Sequence, residues 1–90
     1  MTNRAVVENW SKGKKGKSRH LSTDGMNLFS YTTKIGFTGE DGYKYAYNYT
    51  AHKARNRLGC QVDGRYISAT TSHHVSMAGR VGSACTPPEE

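Results

Sequence analysis

The stretch MNLFSYTTKIGFTGEDGYKYAYNYTA, residues 26–51, decides the fold, because it predicts one long β-hairpin. It holds seven of the eight Tyr and Phe residues of the chain. Its first half is rich in Thr, Tyr, Phe and Ile, which suit a half-buried pleated strand. Its second half alternates four tyrosines with smaller or polar residues, the period of a strand: Tyr43, Tyr45, Tyr47 and Tyr49 against Lys44, Ala46, Asn48 and Thr50.

The connection between the two halves predicts their register. A three-residue loop from Glu40 to Gly42 fits a type I turn followed by a left-handed glycine. That loop sets three cross-strand pairs, which are Phe37 with Tyr45, Ile35 with Tyr47 and Thr33 with Tyr49. This register puts the aromatic rings on one face, whereas a one-residue slip would divide them. We expect that face to be the core side, under a helix; the alternative is an exposed stacking surface.

The rest of the chain predicts a small number of further elements. Asp-Gly turns recur at 24–25, 41–42 and 63–64 and predict strands near 26–38, 43–51 and 65–69. A helix is expected at about residues 71–84, with N-cap candidates at 70–72. Its moderately apolar stripe consists of His74, Met77, Ala78, Val81 and Cys85. The apolar run at 5–7 and Trp10 predict either a short edge strand or a segment that docks Trp10 on the sheet.

These elements predict an α+β fold. We expect an antiparallel sheet of three or four strands, centred on the hairpin at about 26–51, with the C-terminal helix at about 71–84 packed on one face. The domain organisation expected is an N-terminal segment with a basic Gly/Lys loop at 1–20, a single α+β domain at 21–86 and an acidic tail at 87–90.

The composition is that of one small domain with a thin margin of stability. The chain has 90 residues and is only 34% hydrophobic, so tyrosine must supply much of the core, and a homo-oligomer or a bound partner would help. No stretch approaches the roughly 20 apolar residues of a membrane span, and residues 1–10 lack the apolar core of a signal peptide. We expect a cytoplasmic protein, in the host cell if it is viral. Two cysteines are too few for a disulfide scaffold.

Charge is the main indication of function. The net charge of +6 favours attraction to polyanions. Basic residues concentrate in SKGKKGKSRH, residues 11–20, and again at 53–57, and the first segment should be a mobile loop. A solvated surface loop is the simpler interpretation; the functional one is contact with phosphate groups. The predicted nucleic-acid-binding residues are Lys12, Lys14, Lys15, Lys17, Arg19, Lys53, Arg55 and Arg57.

Neither catalysis nor metal binding is predicted. The plausible zinc ligands lack a paired Cys-x2-Cys or His-x3-His spacing; they are Cys60, His73, His74 and Cys85. The chain shows no strained nucleophile turn and no paired carboxylates of the kind that glycoside hydrolysis needs. We therefore expect a protein that is not an enzyme and that uses no cofactor and no metal.

Several short motifs resemble a family of small proteins of unknown function found mainly in phage and viral genomes. They are LSTDG at 21–25, LFSY at 28–31, Ile35-Gly36, YNYTA at 47–51, and TTSHHV at 70–75 with Ala78 and Arg80. The resemblance covers about residues 21–82. In that family a Cys often precedes the His-Val pair; His73 stands there in this chain, so no metal role follows. The resemblance carries no assigned activity and implies a small phage-type accessory protein that acts by binding.

The function predicted is binding to nucleic acid, or to a nucleic-acid-binding host or defence protein, through the two basic clusters. Three alternatives stay open: a protein-binding inhibitor of a host defence system, a sponge for an anionic nucleotide signal, and a virion component. Basic clusters serve all of these functions, so the sequence does not separate them. No membrane partner is expected.

Overall fold

The structure, a computed structural model, describes residues 1–56 and 58–87. The elements of that part of the chain follow in the order α1 (Asn3–Ser11), β1 (Lys15–Lys17), β2 (Leu21–Asp24), β3 (Leu28–Ser30), β4 (Thr33–Thr38), β5 (Lys44–Tyr47), β6 (Ala54–Arg55), β7 (Gln61–Val62), α2 (Ala69–Ala78) and β8 (Ser83–Cys85). Six strands form one mixed sheet in the order β1-β2-β3-β4-β5-β8, and β6 and β7 form a separate ribbon. The α+β class is confirmed, with six strands in the sheet rather than three or four and with two helices rather than one.

The stretch at 26–51 forms three strands instead of one hairpin. Ser30 pairs with Thr33, so the chain reverses over the two residues Tyr31 and Thr32. Tyr31 has a φ of 55°, which is the left-handed conformation that a two-residue hairpin loop requires. Glycine usually occupies that position, and its absence here explains why the sequence predicts an unbroken strand.

The second turn of this stretch confirms the predicted loop. The N–H of Gly42 donates to the carbonyl of Gly39 at 3.0 Å, and the N–H of Gly39 donates to the carbonyl of Tyr43 at 2.8 Å. Gly42 is left-handed with a φ of 83°. Phe37 pairs with Tyr45, as predicted.

A β-bulge in β4 moves Ile35 to the face opposite Phe37. Leu28 pairs with Gly36 while the next residue, Phe29, pairs with Lys34, so Ile35 is the extra residue. Ile35 is fully buried in the core cluster. The prediction that Ile35 shares a face with the tyrosines of β5 is therefore wrong.

Both helices pack on one face of the sheet. α1 buries Val6, Val7 and Trp10, and α2 buries Thr71, His74, Val75 and Ala78. Trp10 lies over two glycines: a Cβ added to Gly36 would come within 2.9 Å of the indole, and one added to Gly82 within 3.3 Å. Because the indole fills the space next to the sheet, only small side chains fit beneath it.

The larger rings of β5 consequently point to the other face. Ala46 is buried in the core, whereas Tyr45 and Tyr47 are half-buried and Tyr43 is 52% exposed. The prediction that the tyrosine face is the core side is wrong for Tyr43 and Tyr45, whereas Tyr47 is half-buried and packs against the edge of the core cluster. Tyr49 differs, because it follows the end of β5 and joins the core cluster.

The N-terminal 20 residues supply one helix and one edge strand of the domain. Trp10 docks on the sheet, which is one of the two predictions for this segment, but it does so from a helix. The Thr2 hydroxyl caps the first turn of that helix and accepts from the N–H of Ala5 at 3.1 Å. The basic segment predicted to be a mobile loop contains β1, paired with β2.

The C-terminal elements differ from the prediction in their bounds. The Ser68 hydroxyl caps α2, which ends at Ala78, and residues 83–85 form β8 instead of continuing the helix. Residues 65–67 lie outside any strand. Of the predicted acidic tail at 87–90, residues 88–90 lie outside the described residues.

Replacing Gly36 by Ala should destabilise the protein by about 1–3 kcal/mol, the usual cost of overpacking. The new Cβ would lie 2.9 Å from Trp10 Cζ2 and 3.1 Å from the Tyr45 carbonyl oxygen, and the buried indole has no room to move. Urea unfolding followed by circular dichroism measures the loss. The control is Gly79→Ala, where the nearest atom is 3.4 Å away and φ is −65°, and where we expect a change below about 0.5 kcal/mol. Equal losses in the two variants would contradict this account of the packing.

Candidate nucleic-acid interface

One face of the six-stranded sheet is turned away from both helices. Leu21 and Thr23 of β2 are buried against the helices, so Ser22 and Asp24 point to the opposite side. Cross-strand partners share a face, and the pairing carries this assignment from β1 to β8. We call this surface the open face; it consists of Lys15, Lys17, Ser22, Asp24, Phe29, Lys34, Phe37, Tyr45, Tyr47, Ser83 and Cys85.

Aromatic rings form a continuous row in the middle of the open face. Phe37 stacks on Tyr45 with ring centroids 5.3 Å apart and planes 19° apart, and it contacts Tyr47 at 5.3 Å. The Tyr45 hydroxyl donates to the Asp41 carboxylate at 2.7 Å, which fixes the direction of that ring. The three rings are half-buried, and Tyr47 packs against the core cluster, so the row is held in place before any ligand arrives.

Three exposed lysines share the open face with this aromatic row, on the β1 side of it. Lys15 and Lys17 lie on the edge strand β1, and Lys34 extends its ammonium group over Phe37, 5.5 Å from the ring centroid. Their long aliphatic stems allow the charges to move toward an anion without a change in the sheet. The open face therefore combines flat apolar rings with mobile positive charge.

Asp24 is the acidic residue among the strand positions of the open face, and it is used within the fold. Its carboxylate accepts the backbone N–H groups of Asn27 at 2.8 Å and Met26 at 2.9 Å. The hydrogen bonds from Asn27 and Met26 lower the pKa of this carboxyl group. Asp24 thus closes the turn between β2 and β3.

A cleft of about 270 Å³ borders Tyr45 at the far edge of the sheet. The β6–β7 ribbon supplies its outer wall, including the apolar side chains of Leu58 and Val62 and the amide of Asn56. Cys85 also lines the cleft, and burial raises the pKa of its thiol to about 11. The thiol therefore stays protonated at neutral pH and behaves as an apolar wall.

The structure separates the two predicted basic clusters. β1 and β8 are the opposite edges of the sheet, about 24 Å apart for strands spaced about 4.8 Å apart. Lys15 and Lys17 lie at the first edge, and Arg55 lies on β6 beyond the second. The clusters do not form one basic patch, and the aromatic row lies between them.

The other predicted binding residues lie around these edges. Lys12 is the C-cap residue of α1, and Lys14 and Arg19 are exposed on either side of β1. Lys53 forms an exposed ion pair with Asp63 at 3.7 Å, a contact that contributes at most about 1 kcal/mol. Arg57 lies outside the described residues.

Sequence reasoning missed Phe29, Lys34 and Phe37 as candidate binding residues. Unbroken alternation in β4 would place Phe37 on the same face as the buried Ile35 and Lys34 on the opposite face. The bulge at Ile35 brings Phe37 and Lys34 to the same face. A usable signal was present in the small residues Gly36 and Ala46, which are cross-strand partners and leave space for a large side chain on their own face.

The candidate zinc ligands do not come together. Cys60 and Cys85 are free thiols, and His73 and His74 lie on α2. Among residues 1–56 and 58–87, no group of three or more His, Cys, Asp or Glu side chains could hold a metal ion.

A buried hydrogen bond joins α2 to the end of β3. Ser30 Oγ lies 2.6 Å from Nδ1 of His74, and both side chains are buried. The His20 ring is 6.0 Å from that of His74, and the His73 ring is 6.3 Å from it. Burial is the main cause of a lowered pKa of His74, and the neighbouring His20 and His73 lower it further.

This contact predicts a loss of stability in acid. In the unfolded chain His74 becomes protonated as the pH falls through the ordinary histidine pKa of 6.5, whereas in the folded protein it becomes protonated only at a lower pH. The contribution of His74 is therefore complete above pH 6.5 and is lost as the pH falls through the lower pKa of the folded state. Urea unfolding at about pH 7.5 and about pH 5.5 measures the difference.

Two variants assign this pH dependence to His74. His74→Asn places an amide near the former Nδ1 position and does not titrate, so it should reduce the difference in unfolding free energy between the two pH values. His73→Asn, on the exposed side of α2, should leave that difference largely unchanged. An unaltered difference in His74→Asn would show that another group is responsible.

Comparison with known proteins yields no relative: no protein-family model, no curated protein and no solved structure matches the chain. None of the helices in the described part of the chain is long and apolar enough to cross a membrane.

Proposed function

We propose that this protein binds nucleic acid through the open face. One observation carries the proposal, namely that the aromatic row and three exposed lysines share the sheet face opposite both helices. Aromatic rings bind base faces and lysines bind phosphate groups, so the two types of side chain together suit this one class of polyanion. Electrostatic binding to a polyanion requires only the lysines, so the aromatic row favours a ligand that also offers bases for stacking.

The charge of the chain fits the same proposal. A net charge of +6 attracts a polyanion from a distance, and lysine contacts release counterions from the phosphate backbone. The biological context proposed is that of a small phage-type accessory protein that acts by binding and not by catalysis.

The direct test is a titration of labelled oligonucleotides with the intact protein, followed by fluorescence anisotropy. Binding at about 50 mM salt should weaken steeply as salt rises, because each phosphate contact adds about 0.7–0.9 to the slope of log affinity against log salt. An absence of binding at about 50 mM salt would reject the proposal.

A protein target is the rival outcome. A pull-down from host lysate, with and without nuclease, separates the two interpretations. A host protein retained in stoichiometric amount after nuclease treatment would favour an inhibitor of a nucleic-acid-binding host or defence protein. Loss of captured material on nuclease treatment is the result that the present proposal expects.

A second candidate is binding of an anionic nucleotide at the end of the sheet. A cleft of about 390 Å³ there is lined by Arg55 and Arg80, with Tyr43 at its side and no acidic residue among its described lining. Two guanidinium groups beside an aromatic ring suit a phosphate and a base. Calorimetric titration with a nucleoside diphosphate tests it, and Arg80→Gln should abolish the heat of binding if this cleft is the site.

A further inference from the structure

We propose that the nucleic acid bound by the open face is single-stranded and that its bases stack on the aromatic row. This inference rests on the proposed function and specifies it, because phosphate contacts alone do not distinguish a single strand from a duplex. The open face carries three properties that do distinguish them: its width, the orientation of its rings, and the cleft at its far edge.

The width of the open face does not fit the major groove of an undistorted DNA duplex. The sheet measures about 24 Å from β1 to β8, for strands about 4.8 Å apart. The major groove of a DNA duplex is about 12 Å wide and admits a helix or a two-stranded ribbon. A six-stranded face therefore stays outside the major groove of such a duplex, where its rings would contact sugars and phosphates.

The rings of the row are flat surfaces with a fixed direction, and a base can stack on the part of a ring that its neighbour leaves uncovered, while the flexible Lys34 side chain can move aside from Phe37. Phe37 and Tyr45 lie nearly parallel, with planes 19° apart, and the Asp41 carboxylate holds the Tyr45 hydroxyl. Tyr47 continues the row at 5.3 Å from Phe37. Stacking of a base on such a ring contributes about 1–3 kcal/mol. Only an unpaired strand can turn its base faces toward the row, since the bases of a duplex already stack on one another.

Groups at the two edges of the sheet provide a path for the nucleic-acid strand. Lys15 and Lys17 mark one edge, and Lys34 lies beside Phe37. At the other edge the cleft next to Tyr45 offers the apolar walls Leu58 and Val62. A strand crossing the sheet from β1 to β8 can thus keep its phosphates near lysine while its bases contact the rings, and it can insert a base beside Tyr45.

The test uses the intact protein and three labelled 12-mers, two of which are single strands that differ only in the presence of bases. They are single-stranded oligothymidylate, an abasic strand of the same length, and a duplex of the same length. All three carry phosphates, so electrostatic binding alone predicts comparable affinities for the two single strands. Stacking of two bases predicts that oligothymidylate binds about 30-fold or more tightly than the abasic strand, at about 1 kcal/mol or more for each base.

A protein variant locates the effect. Phe37→Leu keeps an apolar side chain in β4 but removes the ring, and it should weaken binding of oligothymidylate about 5-fold or more while leaving the affinity for the abasic strand unchanged. The matched control is Tyr66→Leu, at an exposed tyrosine outside the sheet, which should change neither affinity. Circular dichroism confirms that both variants are folded.

The outcomes separate this inference from the proposed function. Equal affinity for oligothymidylate and the abasic strand, or tighter binding of the duplex, would overturn the single-strand inference and leave nucleic-acid binding intact. An absence of binding to all three ligands at about 50 mM salt would reject both. The comparison of ligands uses the unaltered chain, so it decides the matter even if Phe37→Leu fails to fold.

Discussion

Replacing Lys15 and Lys17 together by Gln is expected to lower the affinity for a single-stranded 12-mer about tenfold. Both lysines are exposed on the open face of β1. Lys17 pairs with Ser22, and Lys15 pairs with Asp24, whose carboxylate already accepts two backbone N–H groups. Exposed ion pairs contribute up to about 1 kcal/mol each, and about 1.4 kcal/mol corresponds to a factor of ten. The slope of log affinity against log salt should decrease by about 1.4, because two phosphate contacts to a single strand are lost.

A control with the same net charge separates position from charge. Arg4→Gln together with Lys12→Gln also removes two positive charges, but both residues belong to α1 or its cap, on the other side of the sheet. This variant should lose less than about threefold in affinity, the effect of weaker long-range attraction. Equal losses in the two double variants would show that net charge alone drives binding and that the open face has no special role.

Local chemistry made part of the open face predictable. The loop at 40–42 and the pairing of Phe37 with Tyr45 follow from the position of Gly42 and from the alternation in β5, and the structure has both. The basic segment at 11–20 stays a predicted anion-binding segment, and two of its residues, Lys15 and Lys17, lie on the open face. In each case the signal is contained within a few neighbouring residues.

The parts that could not be predicted depend on tertiary contacts. The tight turn at Tyr31, which contains no glycine, and the bulge at Ile35 have no recognisable signal in the neighbouring sequence. Together they decide which side of the sheet carries the rings. The edge strand β1 has no apolar residue, and it forms because β2 and α1 lie beside it: Asn9 Nδ2 donates to the Lys15 carbonyl at 2.9 Å. A propensity argument applied to Lys-Gly-Lys alone predicts a loop.

Trp10 is the residue on which the orientation of the sheet depends, and Trp10→Ala is expected to cost about 3–5 kcal/mol. The indole is fully buried, lies against Gly36 and Gly82, and donates from Nε1 to the Met26 carbonyl at 3.0 Å. Two glycines beneath the ring cannot fill the space that its removal leaves. Small domains have a total stability of about 5–15 kcal/mol, so this one change removes a large share of the total.

The measurement is thermal unfolding followed by circular dichroism, since the variant lacks the tryptophan needed for fluorescence. A loss of this size should lower Tm by at least about 12 °C in a domain of this length. The control is Tyr66→Ala, at a side chain that is 55% exposed, where we expect a change below about 0.5 kcal/mol. A small shift in Trp10→Ala would mean that Trp10 does not define the covered face. The packing reason why the large rings lie on the open face, namely that the indole leaves room only for small residues such as Gly36 and Gly82 on the inner side, would then fail.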